Sequence, residues 1–190
     1  RVLIQAAQDI ISGEVQQLAN SLLGQLSIED YFEVIKAKTA LLFSATSEIG
    51  SMGSNTSSLL IKQMKSYGLH LGNAFQIIDD LLDYKSETEV LGKQRGDDLR
   101  EGKITLPLIY AMQSATKTEL LMIQKSLQQG SDEFFDEIIE IMQRTNAFEK
   151  TIEKAQEQAK LALIALDNLD DSDYKQALIS IVEFTINRNH

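Results

Sequence analysis

The sequence predicts an all-α fold, and three observations lead to this prediction. Apolar residues recur at intervals of three and four along almost the whole 190-residue chain, which is the spacing of one helical face. Runs of strict alternation long enough for a strand are hard to find. The chain contains one proline, Pro107, where average usage would give roughly nine or ten. This scarcity favours long helices over turn-rich β-sandwiches.

The first two predicted helices are bounded by recognisable start and stop signals. The first runs to about Leu23 and ends at Gly24, and the second begins at a Ser-x-x-Asp cap on Ser27 and ends at Gly50. A segment rich in serine, glycine and asparagine over residues 50–58 is predicted to be a loop.

A long helix over residues 57–84 follows this loop. Residues 85–103 are the least helical part of the chain and hold three of its ten glycines. Pro107 then fits the first turn of the next helix, where a missing N–H costs nothing. Seven or eight helices are predicted in all, the last of them over residues 106–113, 117–129, 132–146, 148–168 and 172–188.

Composition excludes several classes of protein. A hydrophobic content of 43% can fill the core of one domain without disulfide staples. The chain has no cysteine, which excludes a disulfide scaffold and fits a reducing compartment, so we expect a cytoplasmic location. No apolar run approaches the length of a transmembrane helix. The net charge of −10 argues against nucleic acid as the partner, because phosphate binding needs a basic face.

The long helix carries a narrow polar stripe near its end. Gln76, Asp79, Asp80 and Asp83 stand at i, i+3, i+4 and i+7, whereas the other positions from 74 to 82 are apolar. A helix with so wide an apolar arc is expected to be mostly buried, with its polar stripe facing a cavity.

Three carboxylates on such a stripe repel one another, and burial increases the repulsion. They therefore need protons, a cationic partner or a metal. Oxygen ligands of this kind suit Mg²⁺, which is typically held by carboxylates together with substrate phosphates. The alternative is a solvated acidic face near a helix end, which the flanking apolar residues disfavour.

The segment after the stripe strengthens the hypothesis that the carboxylates bind Mg²⁺. Residues 85–103 contain five cations and five anions, so cations are concentrated beside the carboxylates. A phosphate-bearing substrate bridged to the acids by Mg²⁺ would use both signs of charge. A charged, glycine-containing segment can also be a simple solvated connection, and it becomes informative only through its neighbour.

Two polar residues interrupt the apolar face of the second helix. Thr39 lies where a leucine would be expected, and Lys38 flanks it. They are either a snorkelling lysine with a back-bonded threonine or a cation and a hydroxyl directed into the same cavity. Glu14, on the inward face of the first helix, is a further candidate for the cavity wall.

These motifs resemble those of the trans-isoprenyl diphosphate synthases. Residues 75–83 resemble the second aspartate-rich motif of that family with its preceding Phe-Gln. The resemblance covers nearly the whole chain and is strongest to bacterial long-chain members of the octaprenyl diphosphate synthase type. Further family signatures are matched in order by Lys38-Thr39, Gly92-Lys93, Gly96-Asp97-Asp98 and Gly102-Lys103-Ile104-Thr105-Leu106-Pro107.

The resemblance implies an isoprenoid synthase-type helical bundle around a deep cavity, with Mg²⁺ at its mouth. It implies that Asp79 is a direct ligand of one Mg²⁺. Asp80 and Asp83 would support that ion directly or through water. The activity implied is condensation of isopentenyl diphosphate with an allylic diphosphate such as farnesyl diphosphate, giving a long-chain polyprenyl diphosphate. Members of the family are commonly homodimers.

The resemblance also assigns residues to the substrate. Lys38, Lys93 and Lys103 would hold the allylic diphosphate. Thr39 and Gln76 would position it and the carbocation formed from it. Phe75, which precedes Gln76 in the motif, belongs to the same substrate-binding set.

The chain departs from the family pattern in one large respect, because the first aspartate-rich motif and the basic residues for isopentenyl diphosphate are absent. Residues 1–190 are therefore expected to be the carboxy-terminal part of a single synthase domain whose amino-terminal helices are missing, and to be inactive alone. The alternative is a non-catalytic helical subunit that binds a complete synthase, or an interaction domain with the acidic stripe at an interface.

Overall fold

The computed structural model describes residues 2–23, 26–53, 56–85 and 95–188, and these ranges contain helices and no strand, which confirms the all-α prediction. A turn of π-helix, Lys36–Ala40, lies between the second and third α-helices. The α-helices are α1 Val2–Leu23, α2 Ile28–Ile35, α3 Leu41–Ser51, α4 Ser58–Lys85, α5 Asp97–Arg100, α6 Leu106–Ser114, α7 Lys117–Gln129, α8 Phe135–Arg144, α9 Ala147–Ile164 and α10 Asp173–Asn187.

The long helix α4 is the centre of the bundle, and it packs most extensively against α3 and α9. Its last turns enter the larger core cluster with buried side chains of α6 and α8, such as Leu108 and Met142. Its first half enters a second cluster with α9 and α10, which includes Tyr67 and Val182. Because each half of α4 contributes buried side chains to a core cluster, the helix is a well-anchored support for the polar stripe predicted on it.

Glycines bring α4 and α1 into backbone contact with the π-turn. A Cβ added at Gly72 of α4 would lie 2.6 Å from the Cα of Ala40, and one added at Gly13 of α1 would lie 2.8 Å from the Cβ of Ala37. Both distances are too short for a real side chain, so the π-turn is held between two helices that present no side chain to it at these points.

The predicted second helix is the main difference between sequence and structure. Its start is correct, since Ser27 accepts a hydrogen bond from the Asp30 N–H at 3.0 Å. It is not one helix, however, because the π-turn separates α2 from α3. Periodicity did not reveal this break, because a π-turn keeps the chain helical and adds only about one residue to a turn.

The second half of the chain follows the prediction more closely. Pro107 lies in the first turn of α6, as expected. A capping box joins Thr116 and Glu119 at the start of α7, and Gly130 ends that helix in the left-handed conformation. The short helix α5 was not predicted, since it lies in the segment that appeared least helical. Gly24 and Lys93 lie outside the described residues.

No helix in the described ranges combines the length and the apolarity that crossing a membrane requires.

Candidate functional site

A cavity of about 230 Å³ opens where the end of α4 meets α1, α2, the π-turn and the segment from α5 to α6. Its wall contains five of the site residues that the sequence predicted: Lys38, Gln76, Asp79, Asp80 and Lys103. Thr39 is not in the wall but contacts it through Gln76. The polar residues of the wall are Gln17, Tyr31, Lys38, Gln76, Asp79, Asp80, Asp98, Lys103 and Thr105.

Asp79 is the more exposed of the two adjacent aspartates in this wall, with 37% of its side chain accessible. Nη2 of Arg188, which directly follows α10, lies 3.6 Å from its Oδ1. The same guanidinium stacks 4.7 Å from the ring centroid of Phe75. Phe75 is therefore not in the cavity wall and packs between Arg188 and Phe43. The pairing with a guanidinium gives Asp79 a cationic partner at the mouth.

Asp80 is buried and both of its oxygens accept hydrogen bonds. The hydroxyl of Tyr31 donates to Oδ2 at 2.7 Å, and Nε2 of Gln76 donates to Oδ1 at 2.8 Å. Burial, together with the nearby charge of Asp98, raises the pKa of Asp80 to about 7, although the two hydrogen bonds act in the opposite direction. Desolvation and the neighbouring carboxylate also raise the pKa of Tyr31 well above its usual value.

Gln76 links this carboxylate to the π-turn. The hydroxyl of Thr39 donates to Oε1 of Gln76 at 2.8 Å, while Nε2 of Gln76 bonds Asp80. Four residues from α2, the π-turn and α4 thus form one hydrogen-bonded chain: Tyr31, Asp80, Gln76 and Thr39. The sequence placed three of them near one another, whereas nothing in the local pattern of α2 marked Tyr31.

Asp83 is directed differently from the other two aspartates of the stripe. Its Oδ2 accepts a hydrogen bond from the backbone N–H of Asp98 at 3.1 Å, and its carbonyl accepts one from the N–H of Gly96 at 3.0 Å. Asp83 is not among the residues that line this cavity, and its support of a metal ion stays a prediction. Its carboxylate holds the first turn of α5, whose N–H groups need an acceptor.

Asp98 is the acidic residue that the sequence did not single out by itself. It belongs to the Gly96-Asp97-Asp98 signature, and α5 places it in the cavity wall with Asp79 and Asp80. Its Oδ1 accepts a hydrogen bond from Nζ of Lys103 at 3.0 Å. The signature was a usable signal, but only the fold shows which of its two aspartates faces the cavity.

The two described lysines of the predicted diphosphate site are both paired. Lys38 Nζ lies 3.1 Å from Oε1 of Glu14 and donates to Oε1 of Gln17 at 3.0 Å. The structure therefore brings Glu14 into contact with Lys38, one of the residues of the cavity wall. Lys103 lies 2.7 Å from Glu101 and 3.0 Å from Asp98. Burial by itself would lower the pKa of Lys103, but the two carboxylates outweigh it and raise the pKa above the usual range.

The oxygen ligands in the cavity wall suit a metal ion whose coordination shell is completed by the substrate. Among the described residues, no group of three or more histidine or acidic side chains is arranged closely enough to hold a metal by itself. Mg²⁺ commonly takes one or two carboxylates and completes its shell with water and substrate phosphates. Asp79 and Asp98, both partly accessible in the wall, provide that number.

Comparison with known proteins identifies the family. The family model described as polyprenyl synthetase matches residues 1–145. Octaprenyl diphosphate synthase of Haemophilus influenzae is 37% identical over 190 residues, which are 100% of this chain and 58% of that protein. Octaprenyl diphosphate synthase of Escherichia coli is 38% identical over 189 residues, again 58% of its length.

Solved structures give the same result for the fold. A polyprenyl synthase from Caulobacter crescentus, crystallised with calcium and isoprenyl diphosphate, superposes with a TM-score of 0.92 at 37% identity, covering 98% of this chain and 58% of that one. The chain thus spans somewhat more than half the length of the relatives it matches. The helical fold, the motifs at the cavity and the family match all lead to one conclusion: the chain belongs to the polyprenyl synthetase family.

Proposed function

We propose that the complete protein is a trans-polyprenyl diphosphate synthase, with residues 1–190 as the carboxy-terminal part of its single domain. The observation that carries this proposal is the meeting of carboxylates and lysines across one cavity: Asp79 and Asp98 with Lys38 and Lys103. A diphosphate bridged by Mg²⁺ is a ligand that needs both signs of charge in one place. The calcium and isoprenyl diphosphate bound by the Caulobacter relative support the same reading.

The proposed reaction condenses an allylic diphosphate, such as farnesyl diphosphate, with isopentenyl diphosphate. The C–O bond to the allylic diphosphate breaks, and diphosphate leaves with the electron pair. The double bond of isopentenyl diphosphate then attacks the allylic carbon, and loss of a proton restores a double bond in the lengthened chain. Repetition gives a long-chain polyprenyl diphosphate.

The proposal gives each site residue a task in that reaction. Mg²⁺ supplies positive charge that stabilises the departing diphosphate. Asp79 would hold this ion directly, while Asp80 and Asp83 support it from behind. Two further groups complete the site. Lys38, Lys93 and Lys103 would bind the allylic diphosphate, and Gln76 and Thr39 would orient the allylic cation. Phe75, which lies outside the cavity wall, would belong to the substrate-binding set only through its neighbour Gln76.

Replacing Asp79 by alanine in the complete protein tests the proposal. We expect chain elongation from farnesyl and isopentenyl diphosphates in the presence of Mg²⁺ to be lost, because the ion loses its carboxylate. Asp167→Ala is the control, since Asp167 is an exposed aspartate in the turn after α9. Normal product formation by Asp79→Ala would contradict the assignment. The isolated chain of residues 1–190 is expected to be inactive.

A second candidate, a non-catalytic helical subunit that partners a complete synthase, is favoured by one observation. The outer face of α1 exposes large apolar side chains, each more than half accessible: Leu3, Ile4, Ile11 and Val15. Such a face needs a cover, which either the rest of the same domain or another subunit would provide. Elongation activity of the complete protein without any added synthase would exclude the subunit. A homodimer and a cytoplasmic location remain parts of the main proposal.

A further inference from the structure

Tyr31 is a buried residue whose only polar atom is directed at the aspartate stripe. Its side chain is 2% exposed, and its hydroxyl donates to Oδ2 of Asp80 at 2.7 Å. The two residues lie 49 positions apart, on α2 and α4. A buried carboxylate and a buried hydroxyl each require a partner, so this bond fixes the orientation of both groups.

The effect of this bond extends beyond Asp80. Since Oδ2 is taken by Tyr31, Oδ1 is left to face Nε2 of Gln76. A carboxylate oxygen that accepts must receive the NH₂ end of the Gln76 amide, which directs the carbonyl end to the hydroxyl of Thr39. The Asp80 carboxylate therefore determines the donor and acceptor directions of the next two residues, and the bond from Tyr31 holds its Oδ1 within hydrogen-bonding distance of Gln76.

We propose that Tyr31 is a positioning residue for prenyl transfer: by holding the Asp80 carboxylate in place, it keeps Gln76 and Thr39 in position beside the substrate. This inference rests on the proposed function, which assigns Gln76 and Thr39 to the pocket of the allylic cation. Tyr31 itself acts through another residue.

Tyr31→Phe in the complete protein removes a single oxygen and tests the inference. We expect kcat for chain elongation to fall by about 10- to 100-fold, the usual cost of losing a group that orients a ligand of a metal site. The KM for isopentenyl diphosphate should stay unchanged, because the hydroxyl bonds Asp80 and the basic residues expected to bind that substrate are not in residues 1–190. A residue that only fills the core would lower thermal stability without changing kcat at temperatures where the protein is folded.

Tyr67→Phe is the matched control. Tyr67 is also 2% exposed and its hydroxyl also makes one hydrogen bond, but the acceptor is the carbonyl of Leu178, in the second core cluster. Both variants should lose similar stability, and only Tyr31→Phe should lose kcat. If one variant unfolds earlier, activity is compared below both melting transitions, with helical content checked by circular dichroism. Equal kcat in the two variants and the wild type would overturn the inference.

A double-mutant cycle with Asp80→Ala, which removes both acceptor oxygens, tests whether the effect passes through Asp80. If it does, adding Tyr31→Phe to Asp80→Ala should cause little further loss of kcat. A loss in the double variant equal to the product of the two single losses would overturn the inference. Failure of the proposed function is distinguishable, because the wild-type protein would then form no polyprenyl product and Asp79→Ala would change nothing.

Discussion

Replacing Gly72 by alanine should displace the π-turn that carries Lys38 and Thr39. A Cβ at position 72 would lie 2.6 Å from the Cα of Ala40 and 3.1 Å from the Cβ of Phe43. Ala40 is the last residue of the π-turn and is fully buried. The closest atom belongs to backbone, so no rotamer change can relieve the contact.

The distances set the size of the effect. Since an ordinary contact begins near 3.4 Å, the π-turn or α4 must retreat by about 0.8 Å. Alanine favours a helix over glycine by about 1 kcal/mol, whereas overpacking a well-packed core costs about 1–3 kcal/mol. The free energy of unfolding should therefore fall by about 0–2 kcal/mol. A misplacement on the order of 1 Å costs roughly 100-fold in rate. The rate of chain elongation should therefore fall by about 100-fold, which is more than the loss of folding free energy alone would cause.

The assay compares thermal unfolding, followed by circular dichroism, with elongation activity of the complete protein. Gly50→Ala is the control, because it also adds a methyl group within a helix but its Cβ would meet nothing within 4 Å. Gly50→Ala should leave the melting temperature unchanged or slightly raised and activity intact. A Gly72→Ala protein that melts at or above the wild-type temperature with full activity would refute the reasoning.

Two further predictions concern charge. Lys103→Met removes the ammonium that bonds Asp98 and Glu101, so the KM for the allylic diphosphate should rise by about 10- to 100-fold, since a hydrogen bond to a charged group contributes about 1.5–3 kcal/mol. Lys125→Met, at an exposed lysine of α7, is its control, and an unchanged KM in Lys103→Met would remove Lys103 from the diphosphate site. Burial raises the pKa of Tyr67 to about 12 from an ordinary value of 10, so between these pH values the unfolded chain loses a proton that the folded chain keeps. The free energy of unfolding should then fall as pH rises from about 10 to about 12, less steeply in Tyr67→Phe; equal slopes in denaturant titrations of the two proteins would contradict this.

The sequence was sufficient for features that depend on local chemistry. The stripe on α4, the Ser27 cap and the position of Pro107 all follow from spacing or from single residues with strong preferences. For the lysine and threonine of the second helix the sequence left two interpretations open, and in the structure Lys38 lines the cavity while Thr39 reaches it only through Gln76. The all-α class followed from the same periodicity.

Features that depend on where two distant segments meet could not be obtained in this way. Asp83 is on the expected face of α4, yet the first turn of α5 lies beside it and takes its carboxylate. Tyr31 resembles any apolar-face residue of α2 until α4 brings Asp80 to its hydroxyl. Arg188 likewise becomes relevant only because α10 ends near Asp79. Each of these features depends on a contact between residues that are far apart in sequence, and the periodicity of the sequence does not indicate such contacts.

The π-turn also sets the helical phase between α2 and α3. At 3.6 residues per turn, an unbroken α-helix would place Tyr31 and Phe43 about 120° apart around its axis. The extra residue accommodated in Lys36–Ala40 reduces this angle to about 20°, so both residues face α4. One reaches Asp80 near the mouth, and the other packs against Gly68 and Gly72 further down. The one extra residue in the π-turn therefore determines whether α2 and α3 can contact the same neighbour. Deleting one residue from the turn would rotate one of the two helices away from α4.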